Sequence, residues 1–226
     1  MFSRSLRRCL LLSVLLLSAA RTPAAEKLFS LKLTHLPPLP VESASLRLAI
    51  VNDRPLAFDT GSAWLFDNNT QAWTKLAHSP LTPASVIAAS GRDLLVFQDG
   101  TASVQRLTLS DQGVFLATPL AALPAALTHA SATVLNGTLY VCGAAAGQNA
   151  FYSLDLAASG ADWQTLPVWP GAPAGRAALA TQNDGVEDAL YLTAQTDGAI
   201  SLYRYATRQG GWTRRTAPRF VVLPGT

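Results

Sequence analysis

The sequence predicts an all-β chain folded as a β-propeller. It has four complete four-stranded blades and a partial fifth drawn from the two termini, so the ring is open or incomplete. Three observations lead there. The phrase "AWTKLAHSP" (Ala72 to Pro80) returns as "DWQTLPVWPGAP" (Asp162 to Pro173) and again as "GWTRRTAP" (Gly211 to Pro218), which marks one structural unit copied several times. Between these phrases the chain is written in short runs rich in Val, Leu, Tyr and Thr, separated by turn residues. Helical periodicity is absent after the leader, and prolines between the modules stand against long helices.

The leader comes first. Residues 1–25 begin with Arg4, Arg7 and Arg8, continue in an apolar run from Cys9 to Leu17 and end in small residues. This is the layout of a signal peptide, and the apolar run is too short for a helix that crosses a bilayer. Cys9 precedes the run, which argues against a lipoprotein. The expectation is an exported protein, periplasmic or secreted, whose propeller domain occupies residues 26–226. The full chain holds 17 Lys and Arg against 14 Asp and Glu. Without Arg4, Arg7, Arg8 and Arg21 the balance is 13 against 14, so the basic character belongs to the leader and supports no nucleic-acid partner. Cys142 is then the one thiol left, so no internal disulfide forms and packing must supply the stability. No later stretch is apolar for long enough to span a membrane.

Four modules follow. The first runs "LRLAIV", "PLAFDT", "SAWLFD", "AWTKL" (Leu46 to Leu76). The second runs "SVIAAS", "DLLVFQ", "SVQRLTL", "VFLATPL" (Ser85 to Leu120). The third runs "SATVLN", "TLYVCG", "AFYSLDL", "DWQTLP" (Ser131 to Pro167). The fourth runs "AALATQ", "ALYLTA", "SLYRYA", "GWTRR" (Ala177 to Arg215). The markers Trp73, Phe115, Trp163 and Trp212 stand 42, 48 and 49 residues apart. Asn136-Gly137 between two apolar runs predicts a tight hairpin, because both turn positions need positive φ. A β-sandwich would also repeat its strands, but it gives no reason for an aromatic to return in the last strand of every module. At the ends, Leu28 to Pro40 reads as the last strand of a blade and Pro218 to Pro224 as the first strand of another. An open ring exposes strand edges, which invites a protein partner or self-association.

The stretch "SATVLNGTLYVCGAAAGQNAFYSLDLAASGADWQTLPVWPGAPAGRAALA" resembles a kelch-type blade. More narrowly, its Trp-x-x-Leu-Pro phrase, followed by "WPGAP" and Arg176, resembles the bacterial N-acetylneuraminate epimerases, or sialic-acid mutarotases. The likeness is clearest from His129 to Pro218. It implies a kelch-type propeller with a galactose-oxidase-like fold, which binds a sugar acid at the channel mouth and interconverts its anomers as an isomerase. The sequence departs from that family in its blade count. It also has Thr60-Gly61, Asp99-Gly100, Gly143-Ala144 and Ala194-Gln195 where kelch blades carry a glycine pair.

Propellers bind ligands on the face shared by the inter-blade loops and the mid-blade loops. The inter-blade loops are expected to hold His78, His129, Trp169 and Arg176, and the mid-blade loops Asp59, Asp99, Gln148, Asn149, Gln195 and Asp197. The resemblance places an arginine at Arg176, where a guanidinium can take a sugar carboxylate through two bonds. His129 is the second catalytic candidate, because an imidazole can serve as acid or base. His78, Trp169, Gln148, Asn149, Gln195 and Asp197 are the substrate-binding candidates. Mature glutamates are few, and Glu187 falls on the opposite face from Arg176. No metal pattern, phosphate loop or nucleophile elbow is present, and no cofactor is implied. A non-catalytic propeller that binds protein or glycan is the alternative reading.

Overall fold

A computed structural model of the chain describes residues 36–41, 46–59, 61–76, 78–183 and 185–216. Residues 1–35 and 217–226 lie outside them; of the expected strand Leu28 to Pro40 only Leu36 to Pro40 is described and it forms no strand, and the expected strand Pro218 to Pro224 falls wholly outside. Every strand within the described residues belongs to one of four antiparallel sheets, and no helix is present among these residues. The first sheet comprises β1 (Arg47–Val51), β2 (Arg54–Asp59), β3 (Ser62–Asp67) and β4 (Ala72–Lys75). The second comprises β5 (Ser85–Ser90), β6 (Asp93–Gln98), β7 (Val104–Leu109) and β8 (Phe115–Pro119). The third comprises β9 (Thr128–Leu135), β10 (Thr138–Ala145), β11 (Gln148–Asp155) and β12 (Gln164–Thr165). The fourth comprises β13 (Arg176–Asn183), β14 (Asp188–Thr196), β15 (Ala199–Ala206) and β16 (Gly211–Arg215). Within each sheet the strands pair in chain order, as the blades of a propeller do. Among the described residues no hydrogen-bonded pairing joins one sheet to another, so the ring is not closed by hydrogen bonds.

Strand alternation explains why the sheets stack. Leu94, Val96, Leu107 and Leu109 of the second sheet pack against Leu56, Phe58 and Leu65 of the first. Their neighbours Leu95, Phe97 and Val104 point the other way, onto Leu139, Val141 and Leu154 of the third. Cys142 and Phe151, alternating with those, meet Leu190, Leu192, Tyr203 and Tyr205 of the fourth. Each fully buried Leu or Phe contributes about 1.5–3 kcal/mol in apolar transfer. Burial also pushes the Cys142 thiol up to about 12, so it stays protonated as a core side chain.

The recurrent indole has a single job. Trp73 Nε1 donates to the Pro37 carbonyl at 2.9 Å, Trp163 Nε1 to that of Ala121 at 2.9 Å, and Trp212 Nε1 to that of Pro167 at 2.8 Å. Each acceptor follows a leucine (Leu36, Leu120, Leu166), and Leu120 and Leu166 stand at the exits of the second and third sheets. The backbone N–H of Leu120 or Leu166 in turn bonds back to its own sheet. Trp163 and Trp212 therefore latch the third and fourth sheets to the sheet before each, and Trp73 ties the first sheet to the segment at Pro37. Phe115 fills the place in the second sheet and has no N–H to donate.

Two sequence expectations are corrected. The hairpin turns opening the first two sheets fall at Asn52-Asp53 and Gly91-Arg92, one residue before Asp53-Arg54 and Arg92-Asp93, the pairs that the sequence places opposite Asn136-Gly137. The mid-blade turns place Gly61, Gly100, Gly147 and Gly198 in equivalent positions, with φ of 88°, 81°, 76° and 80°. Every blade thus keeps one glycine where a left-handed backbone is needed. The Gly143-Ala144 and Ala194-Gln195 alignment slipped because β10 and β14 run on past the length of β2 and β6.

Candidate functional site

Strand pairing in the third and fourth sheets runs further toward the expected mouth than in the first two. Ala145 pairs with Gln148, and Arg176 pairs with Gln195. His129 and Arg176 consequently lie in the inner strands β9 and β13, and Gln148, Asn149 and Gln195 in β11 and β14, instead of in loops. Asp99 and Asp197 do occupy turns, and His78 and Trp169 lie in inter-blade connections.

A cavity of about 320 Å3 brings His129, Arg176 and Gln195 together, with Ala130, Thr193 and Ile200 completing its walls. His129 reaches it through an unusual backbone. Cys142 pairs with Ser131 and Ala144 with Thr128, so His129 and Ala130 both oppose Gly143 in a β-bulge. His129 takes φ 53°, which is uncommon for a residue with a side chain. Two features hold it there. The Asp99 carboxylate accepts the N–H of His129 at 3.2 Å and that of Ala130 at 2.9 Å. Gly143 leaves room: a Cβ there would stand 3.0 Å from the Thr128 carbonyl oxygen and 3.2 Å from the Ala130 Cα. Asp99 stands in the mid-blade turn where the sequence puts it, and its role as a clamp emerges from the fold.

Arg176 starts β13. The N–H of Gly175 before it bonds to the Gln195 carbonyl at 2.9 Å, which pins the strand entry beside the cavity. The guanidinium is exposed and carries no hydrogen bond or ion pair among the described residues. By contrast, Arg204 and Glu187, the latter in the turn between β13 and β14, form a buried pair at 2.9 Å toward the end of the fourth sheet away from Arg176. Glu187 is thereby committed elsewhere. No carboxylate lines the cavity.

The remaining candidates divide. Gln148, Asn149 and Trp169 share a second cavity of about 520 Å3 between the third and fourth sheets. His78 and Asp197 are exposed and line neither. A third cavity, about 560 Å3, opens at the other end of the first two sheets. There Arg54 lies 3.9 Å from Asp67 and Arg92 lies 2.5 Å from Asp111, so two of its three cations are already answered. Among the described residues no three His, Cys, Asp or Glu side chains gather as metal ligands, and no helix is long and apolar enough to cross a membrane.

No protein-family model matches the chain, and no curated protein matches it in sequence. In three dimensions it is similar to a solved structure described as "Structure of YjhT", at 12% identity and a TM-score of 0.53, covering 79% of this chain and 70% of that one. That likeness agrees with the strand order and the stacked cores: the chain is a β-propeller.

Proposed function

We propose that the protein binds a sugar acid at the mouth lined by His129, Arg176 and Gln195. The observation that carries this reading is an exposed guanidinium without an internal partner, set beside a polar amide and an imidazole in one cavity. Arg176 would take the carboxylate, Gln195 a hydroxyl, and His129 the anomeric hydroxyl. A neutral imidazole there accepts the anomeric proton while water protonates the ring oxygen, which opens the ring and lets either anomer re-form. This is the isomerase chemistry implied by the sequence resemblance to sialic-acid mutarotases. We further propose that the chain is exported and that residues 1–25 are removed; N-terminal sequencing of the protein recovered outside the cytoplasm tests this.

One observation favours the non-catalytic reading, a glycan-binding or protein-binding propeller: the absence of a carboxylate from the cavity walls leaves His129 without an acid–base partner. Proton NMR of freshly dissolved α-N-acetylneuraminate separates the two. Faster anomer exchange that Arg176→Ala and His129→Ala each abolish supports catalysis. Saturable binding with unchanged exchange leaves a binding protein. No binding at all removes the sugar-acid site.

A further inference from the structure

We propose that the cleft between the third and fourth sheets is a separate binding site for one ring of a neutral sugar. It shares no lining residue with the Arg176 cavity and does not depend on that reading. Its volume of about 520 Å3 falls within the roughly 300–1,000 Å3 common for small-molecule pockets. Trp212, Pro167 and Pro170 supply apolar ring faces, and no charged side chain lines it.

The chemistry comes from two unsatisfied atoms. Trp169 is 2% exposed, yet its Nε1 donor has no hydrogen-bond partner; the Oδ1 acceptor of Asn149 has none either. Buried polar atoms without partners are rare, and the latching indoles Trp73, Trp163 and Trp212 are all satisfied. The Asn149 Nδ2 donates to the carbonyls of Gly171 at 3.1 Å and Trp169 at 3.4 Å, which fixes which end of the carboxamide is left over. Two touching residues at the cleft thus hold one unused donor and one unused acceptor beneath its surface. An anion would satisfy the indole but be repelled by the amide oxygen, and an ammonium would do the reverse. A hydroxyl both accepts and donates, so it answers the two together. A sugar ring adds C–H faces that lie on indole and proline.

Both atoms are covered in the empty protein. Asn149 Nδ2 to the Trp169 carbonyl (3.4 Å) and Thr196 Oγ1 to the Pro173 carbonyl (3.5 Å) lie past the usual range, and these are the two contacts that an entering hydroxyl would displace.

Nitrogen–proton correlation spectra of the full chain test this. The Trp169 indole signal is identified by its loss in Trp169→Phe, with the other four indole signals reporting that the fold is intact. The probes are methyl β-galactoside, methyl β-glucoside and N-acetylglucosamine, with acetate and methylammonium as charged controls. At least one sugar is expected to move the Trp169 signal downfield and saturably, equally in Arg176→Ala. Trp169→Phe should weaken that binding by about tenfold, the loss of one hydrogen bond. A signal that ignores all three sugars, or that follows the charged controls instead, overturns the proposal and leaves a buried water as the atoms' partner.

Discussion

At the scale of single residues, the bulge at His129 concentrates the demands that the mouth places on the chain. A residue with a side chain sits at φ 53°, two backbone N–H groups are gathered by Asp99, and Gly143 gives them clearance. Adding one methyl group at Gly143 forces the Thr128 carbonyl or the Ala130 backbone to move. Gly143→Ala is expected to cost about 1–3 kcal/mol, the usual penalty for overpacking. Urea denaturation measures that cost, and the His129 ring resonances should shift as the bulge relaxes. An unchanged midpoint would show that the bulge accommodates the methyl freely. Little of this was legible in the sequence. "GAAAG" reads as a loop because alanine and glycine carry no strand preference, and only pairing with β9 and β11 reveals Gly143 as the residue opposite a bulge.

The strands and their links form the next scale. Four sheets, their chain-order pairing and the Asn136-Gly137 turn (φ 50° and 76°) were readable, since alternation and turn chemistry are local. The ends of the longer strands were not. His129, Arg176 and Gln195 lie beyond the apolar runs, and their pairing is imposed by the neighbouring strand instead of by their own character. The latch was visible as a recurring tryptophan, but its acceptor is a backbone carbonyl with no signature of its own. Trp212→Phe keeps a ring against Phe151 and Tyr205 and loses only the bond to Pro167. Its expected cost is about 0.5–1.5 kcal/mol in chemical denaturation, whereas Trp212→Ala should approach 3–5 kcal/mol. A second link joins the third and fourth sheets at the other end. The Asn183 and Asn136 side chains donate to Asp188 at 2.8 and 3.3 Å and hold its carboxyl below the usual range. A depressed folded-state value makes the contribution full above the unfolded carboxylate value of about 3.9 and lost as pH falls through the folded value. The melting temperature of Asp188→Asn should therefore fall less than that of the wild type on acidification through this range. Parallel pH profiles would refute the link.

Over the whole molecule, three apolar clusters join four sheets in series, each shared by one neighbouring pair. The first sheet also presents Leu48 and Ile50 on the face turned from the second, 66% and 57% exposed. These side chains bury little, so the double change Leu48→Lys, Ile50→Lys should leave stability within about 0.5 kcal/mol. If copies associate through this side, the same change should abolish the rise of sedimentation mass with concentration. A loss of fold would instead assign both residues to the core.

The direction of the tryptophan latch bears on how such a chain is made. Each indole grips a carbonyl that lies 36 to 45 residues earlier in the sequence. During synthesis the acceptor has therefore always left the ribosome before its donor arrives. The first, third and fourth sheets each meet a dock that is already waiting, the second joins by the apolar packing around Phe115, and assembly can advance in the order of translation.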